Sequence, residues 1–126
     1  MAHAFGARDF DAVSRCYAHD AVLLAPGRPA AVGRAAIALE LRAAFAAPHV
    51  DVVVRTTRID LSPDGEFASA WGSGLTTVAD PAAGGAVRRI TSKWLAVYRR
   101  DPDGWKVAAD AFNTDDASAL EPGDEP

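Results

Sequence analysis

The chain has 126 residues, about one ordinary domain, enough to bury a core without disulfides or metal. Hydrophobic residues make up 49% and charged residues 24%, and the net charge of −4 argues against a general nucleic-acid binder, which needs a basic face. The single cysteine, Cys16, excludes an intramolecular disulfide and a multi-cysteine zinc site.

Asp9 to His19 predicts a first helix, with Phe10, Val13 and Tyr17 at helical spacing and Asp9 as its cap. Ala21 to Ala25 reads as a short buried strand, broken by Pro26, Gly27 and Pro29. Ala30 to Val32 gives a second short strand. Gly33 begins a second helix, whose stripe of Ile37, Leu41, Ala44 and Phe45 is apolar and which Pro48 stops. His49 to Leu61 is a strand. Its Val50, Val52 and Val54 share one face, whereas Ile59 and Leu61 have the other parity, so a bulge or bend lies between them. Ser62 to Gly65 is a turn, Glu66 to Ala79 a long strand, and Asp80 to Gly85 a loose hairpin loop. Ala86 to Arg100 and Trp105 to Asn113 are the last two strands, joined by a tight turn at Asp101 to Gly104. Residues 1–115 form one domain, and the acidic tail 116–126 is expected to be disordered.

Helices segregated to one side of long antiparallel strands make an α+β fold. The expected form is a cone-shaped curved sheet with a cavity on its concave face. A four-residue turn at Asp101 to Gly104 sets Arg100 opposite Trp105, which places Leu95 opposite Asp110 and Lys93 opposite Phe112. One face then carries Lys93, Leu95, Val97, Ala108, Asp110 and Phe112. The other carries Trp94, Ala96, Tyr98, Trp105 and Val107, and Trp71 is assigned to it from the preceding strand. The four aromatics Trp71, Trp94, Tyr98 and Trp105 are expected to form a two-fold dimer interface. On the first face, Asp110 is a lone carboxylate in an apolar strand with Lys93 diagonally across. Burial would raise its pKa and a nearby ammonium would lower it. Such a carboxyl serves as a general acid or base; a structural ion pair is the competing reading.

Phe10-Asp11-Ala12-Val13, Tyr17-Ala18-His19-Asp20-Ala21-Val22-Leu23-Leu24, Pro26-Gly27 and Val32-Gly33-Arg34-Ala35-Ala36-Ile37 resemble the opening of SnoaL-like and DUF4440-type proteins. Lys93-Trp94-Leu95-Ala96-Val97-Tyr98-Arg99-Arg100, with Gly104-Trp105-Lys106-Val107-Ala108-Ala109-Asp110-Ala111-Phe112, resembles the DUF4440 closing hairpin. The resemblance covers about residues 5 to 115. It implies the NTF2-like cone fold shared with ketosteroid isomerase and polyketide cyclases, a homodimer, and a pocket for a small organic molecule. It does not imply one reaction, because the fold hosts enzymes, binding proteins and association domains. Where ketosteroid isomerases carry their catalytic aspartate before the proline, this chain has Ala25, and their second aspartate falls near Leu95. Their oxyanion tyrosine lies on a first helix of which only Met1 to Ala7 would remain, so that helix reads as truncated. In SnoaL-type cyclases the acid/base pair lies in the stretch matching Ala109 to Phe112, where Asp110 is the one titratable group.

Two functions follow as expectations. The first is a small-molecule-binding protein that catalyses cofactor-free proton transfer next to a carbonyl, as an isomerase, cyclase or dehydratase. Asp110 would handle the proton, Lys93 would be its electrostatic partner, and Tyr17, Phe112 and Asn113 would line the ligand site. The second is a non-catalytic association or binding module acting as a homodimer. His3, His19 and His49 have no metal-ligand spacing, and no metal or cofactor is expected. Cys16 reads as a small buried hydrophobe. No apolar run approaches the roughly 20 residues needed to cross a bilayer, and the N-terminus lacks signal-peptide character, so neither membrane nor nucleic acid is an expected partner and the expected location is cytoplasmic.

Overall fold

In the computed structural model, which describes residues 9–44, 50–80 and 84–115, Asp9 caps the first helix, α1 (Phe10–Ser14), accepting from the Ala12 N–H at 3.1 Å. The helix stops well before His19. The Val107 N–H donates to the Cys16 carbonyl at 2.9 Å, and Tyr17 pairs with Val107, so the sheet takes the backbone that helical spacing had claimed. Strand β1 (Tyr17–Leu24) therefore begins at Tyr17 and pairs antiparallel with the two-residue β2 (Ala31–Val32). Gly33 turns the chain into α2 (Arg34–Ala44) with φ +90°, a region costly for a side chain, while its N–H donates to the Ala21 carbonyl at 2.8 Å. Ile37, Ala38 and Leu41 bury the inner face of α2; Ala44 is exposed, and Phe45 and Pro48 lie outside the described residues.

Four long strands follow: β3 (Val50–Leu61), β4 (Phe67–Asp80), β5 (Ala86–Asp101) and β6 (Gly104–Thr114). The sheet order is β2-β1-β6-β5-β4-β3, with one parallel pair, β1 beside β6. The parity conflict in β3 resolves as a bulge. Thr56 pairs with Gly72 and Arg58 with Trp71, leaving Thr57 extra, so Val54 and Ile59 face the same side. Gly72 lies at this bulge because a Cβ there would run into the Arg55 carbonyl oxygen.

The expected cone is not formed. The sheet is mixed, open and not strongly curled, and among the described residues it packs against two helices. Among the described residues α2 packs chiefly on α1, β1 and β2, at one end of the sheet. Among the described residues neither helix has β3, β4 or β5 as a main packing partner. The buried core reflects this: Phe10, Val13, Tyr17, Ala21, Leu23, Ile37, Leu41 and Val107 cluster between the helices and β1–β6, with Tyr98 and Phe112 packed against it. Val54, Ile59 and Leu61 at the other end stay exposed. The first-helix reading at Met1 to Ala7, residues 81–83 of the Asp80 to Gly85 loop, and the tail 116–126 lie outside the described residues.

Candidate functional site

The turn at Asp101 to Gly104 sets the register as expected only as far as Tyr98 opposite Val107. Val97 then pairs with Ala109, leaving Ala108 unpaired as a second bulge. Beyond it every partner moves by one: Ala96 lies opposite Asp110, Trp94 opposite Phe112, and Lys93 opposite Asn113. A one-residue slip exchanges the faces of a strand. Asp110 and Phe112 therefore share a face with Trp94, Ala96 and Tyr98, not with Lys93. Val107 and Phe112 carry the sequence signal that was missed. Both are large apolar residues that pack on one core, yet they have opposite parity in one strand, the same conflict that exposed the bulge in β3.

Tyr17 is brought to this face by an irregularity in β1. Its pairing with β6 jumps from Tyr17–Val107 to Val22–Ala109, so several β1 residues are spent beside a short stretch of β6. The Tyr17 hydroxyl donates to Asp110 Oδ2 at 2.7 Å. The carbonyl of Tyr17 accepts from Arg34 Nε at 2.7 Å, which ties the strand start to α2. Tyr17 is only 2% exposed, and Asp110 is partly buried. Burial pushes the Asp110 carboxyl above the ordinary carboxylate range, and the Tyr17 hydrogen bond draws it part of the way back. Burial, then the charge of Asp110 and the hydrogen bond to it, push the Tyr17 phenol far up. The Tyr98 phenol is also raised, by burial and then by Asp110.

Lys93 does not join Asp110. It points to the opposite face and pairs with Asp115 at 2.9 Å, both groups being well exposed. The pairing also holds the Asp115 carboxyl below its usual range. Asn113, opposite Lys93, is exposed on that same far face, so it does not line the Asp110 site. Phe112 does, partly buried beside the core. The four-aromatic patch is divided as well. Trp71 lies opposite Leu95 on the outer face, whereas Trp94 and Tyr98 face the helices and Trp105 stands at the hairpin end opposite Arg100. The Trp94 indole donates to the Ser73 carbonyl at 3.1 Å.

Cys16 is partly buried, its thiol turned to the Ala12 carbonyl at 3.7 Å. Among the described residues no group of three or more His, Cys, Asp or Glu could hold a metal ion, and no helix is long and apolar enough to cross a membrane. A cleft of about 300 Å³ lies at the β2 edge of the sheet, between β2 and α2, where Arg28 and Glu40 pair at 2.9 Å. It contains none of the residues around Asp110.

Comparison with known proteins follows the same lines. Solved structures that superpose on this chain include a ketosteroid isomerase-like protein from Erwinia carotovora atroseptica SCRI1043, at 26% identity and TM-score 0.77, covering 90% of this chain and 87% of that one. A protein from Catenulispora acidiphila in complex with S-DNPA matches at 22% identity and TM-score 0.72, over 94% and 88%. A putative calcium/calmodulin-dependent protein kinase II association domain from Xanthomonas campestris matches at 19% identity and TM-score 0.74, over 90% and 79%. A comparison with curated protein sequences finds no match. The model of the SnoaL-like domain matches residues 1–109. With that match over most of its length, and with the NTF2-like fold of its structural relatives, the chain belongs to the SnoaL-like domain family.

Proposed function

We propose that the protein is a small-molecule-binding module that acts as a homodimer and holds its ligand at Asp110. The observation that carries this reading is the isolation of Asp110 among the described residues. Its hydrogen-bond partner is Tyr17, and Lys93, the group expected to act with it, is engaged with Asp115 on the other face. A carboxyl bonded to one phenol, with no second acid, base or cation bonded to it among the described residues, is a recognition group first. The Catenulispora relative, solved in complex with S-DNPA, supports a ligand-binding use of the fold, and the Xanthomonas relative supports an association use.

The dimer surface in this reading is the outer face of β4 and β5. Trp71 is 48% exposed, Leu95 53% and Val53 48%, and β-sheet register places all three on one side. Exposed apolar surface of this kind is stabilised by a partner, and self-association of one patch gives a closed two-fold dimer. Trp71→Glu is expected to give monomer in light scattering with the fold intact. A wild type that is monomeric at high micromolar concentration would remove the interface from the proposal.

One observation favours a second reading, proton transfer next to a carbonyl. Burial raises Asp110 toward the pH at which a carboxyl can give and take a proton. A thermal-shift screen of aromatic and polyketide-like carbonyl compounds against wild type and Asp110→Asn tests both. A ligand at about a hundred times its Kd adds about 2.7 kcal/mol to stability. A hit that Asp110→Asn weakens supports the binding site. A hit that wild type converts and Asp110→Asn binds without converting would make Asp110 catalytic. Hits that ignore the substitution would remove Asp110 from the site.

A further inference from the structure

Asp110 has two carboxyl oxygens, and Tyr17 bonds one of them, Oδ2. No group among the described residues bonds the other. The bulge at Ala108 places Tyr98 on this same face, two residues along β5 from Ala96, which is opposite Asp110. That is a cross-strand diagonal of about 7–8 Å between backbones, less between long side chains. The Tyr98 ring packs against the core, yet its hydroxyl has no hydrogen-bond partner among the described residues and is not sealed from solvent. Half-buried tyrosine hydroxyls usually find a partner; here one from outside the chain can supply it.

The charges around the site are equally specific. Lys93 is bonded to Asp115, Arg34 to the Tyr17 carbonyl, Arg99 to Asp20, and Lys106 to the Arg15 carbonyl. None of these cations bonds Asp110. An anion brought to Asp110 would lose its water and meet a carboxyl and two phenols, with no positive charge among the described residues bonded to Asp110 to offset the loss.

We infer, resting on the reading of Asp110 as a ligand site, that Tyr98 selects the ligand: its hydroxyl donates to a neutral acceptor oxygen held beside Asp110, and the site rejects carboxylates. A ketone, aldehyde or amide oxygen fits this chemistry. The directly opposed pair Trp94 and Phe112 offers an apolar surface for the rest of the ligand.

The test uses three probes with one ring system: 2-acetylnaphthalene, 2-naphthoate and 2-ethylnaphthalene. Their Kd values are measured by calorimetry on the full chain and on Tyr98→Phe. The ketone is expected to bind wild type at least tenfold tighter than either of the others. Tyr98→Phe is expected to weaken the ketone roughly three- to tenfold, the range of one neutral hydrogen bond, and to leave ethylnaphthalene unchanged. In wild type with 13C-labelled tyrosine rings, the ketone should move the Tyr98 resonance more than that of Tyr17, whose hydroxyl is already engaged. That readout does not depend on how well the variant folds. If naphthoate or ethylnaphthalene binds as tightly as the ketone, or if the Tyr98 resonance and the Tyr98→Phe affinity stay unchanged, the inference is overturned while the ligand site stands. If none of the three binds wild type, the ligand-site reading falls and the inference falls with it.

Discussion

Replacing Tyr17 by Phe removes one oxygen and little else. The ring stays in the core, where Tyr17 is 2% exposed, and the hydroxyl lost is the one that donates to Asp110 at 2.7 Å. A hydrogen bond to a charged group contributes about 1.5–3 kcal/mol, and one between neutral groups about 0.5–1.5 kcal/mol. The cost therefore depends on the state of Asp110. At a pH where Asp110 is ionised, Tyr17→Phe should cost about 2 kcal/mol; where Asp110 is protonated, about 1 kcal/mol. The direction follows from the hydrogen bond itself, which favours the ionised carboxyl and lowers its pKa against the raising effect of burial. Losing it raises Asp110 further, so the variant falls behind wild type as pH rises and catches up as pH falls. Urea denaturation at several pH values from about 4 to about 8 reads this directly. With a slope of about 1–3 kcal/mol per M, a 2 kcal/mol loss lowers the midpoint by roughly 1 M. A double-mutant cycle with Asp110→Asn separates the pair from the rest of the core. A loss below about 0.5 kcal/mol at neutral pH, or one that does not change with pH, would refute the coupling of Tyr17 to Asp110.

Asp110→Asn should be at least as stable as wild type near neutral pH, because the amide keeps an acceptor for Tyr17 and carries no charge to bury. A carboxyl raised on folding binds its proton more tightly in the native state, so wild-type stability declines as pH rises from the unfolded carboxylate pKa through the raised one. Thermal melts of the two proteins should converge toward acid; a gap that widens toward acid contradicts the burial argument. Lys93→Ala should change stability by less than about 1 kcal/mol in a denaturation curve, since Lys93 and Asp115 form an exposed pair. A larger loss would mean that the lysine serves Asp110 after all. Gly72→Ala puts a methyl group against the Arg55 carbonyl oxygen, so β3 must move away from β4. A loss of about 1–3 kcal/mol or more is expected, with hydrogen exchange rising first in β3; unchanged protection there would show that the bulge can relax freely.

Much of this molecule is legible in its sequence because local chemistry fixes it. The proline, glycine and aspartate turns bound β3 to β6 within a residue or two, and the period-3.6 stripe of Ile37 and Leu41 buries as expected. The parity break between Val54 and Ile59 announced the bulge at Thr57. The ordered set of segments from Phe10 to Phe112 carried the family. The sequence also singled out Asp110, since a lone carboxylate in an apolar strand needs a reason to be there.

Non-local pairing decided the rest. Tyr17 has helical spacing from Phe10 and Val13, but its backbone is claimed by β6, a strand that lies about 90 residues later in the chain. That long-range ladder ended α1 at Ser14 and delivered the Tyr17 hydroxyl to Asp110. One unpaired residue, Ala108, exchanged the faces of β6, turned Lys93 and Asn113 away from the site and brought Tyr98 and Trp94 toward it. Alternation is a period-two rule, so a single extra residue reverses everything beyond it, and an alanine carries no mark that it will be the extra one. The curvature of the sheet was likewise out of reach of the sequence, because strands bend around what is packed on them, and the described helices pack chiefly at the β1–β2 end.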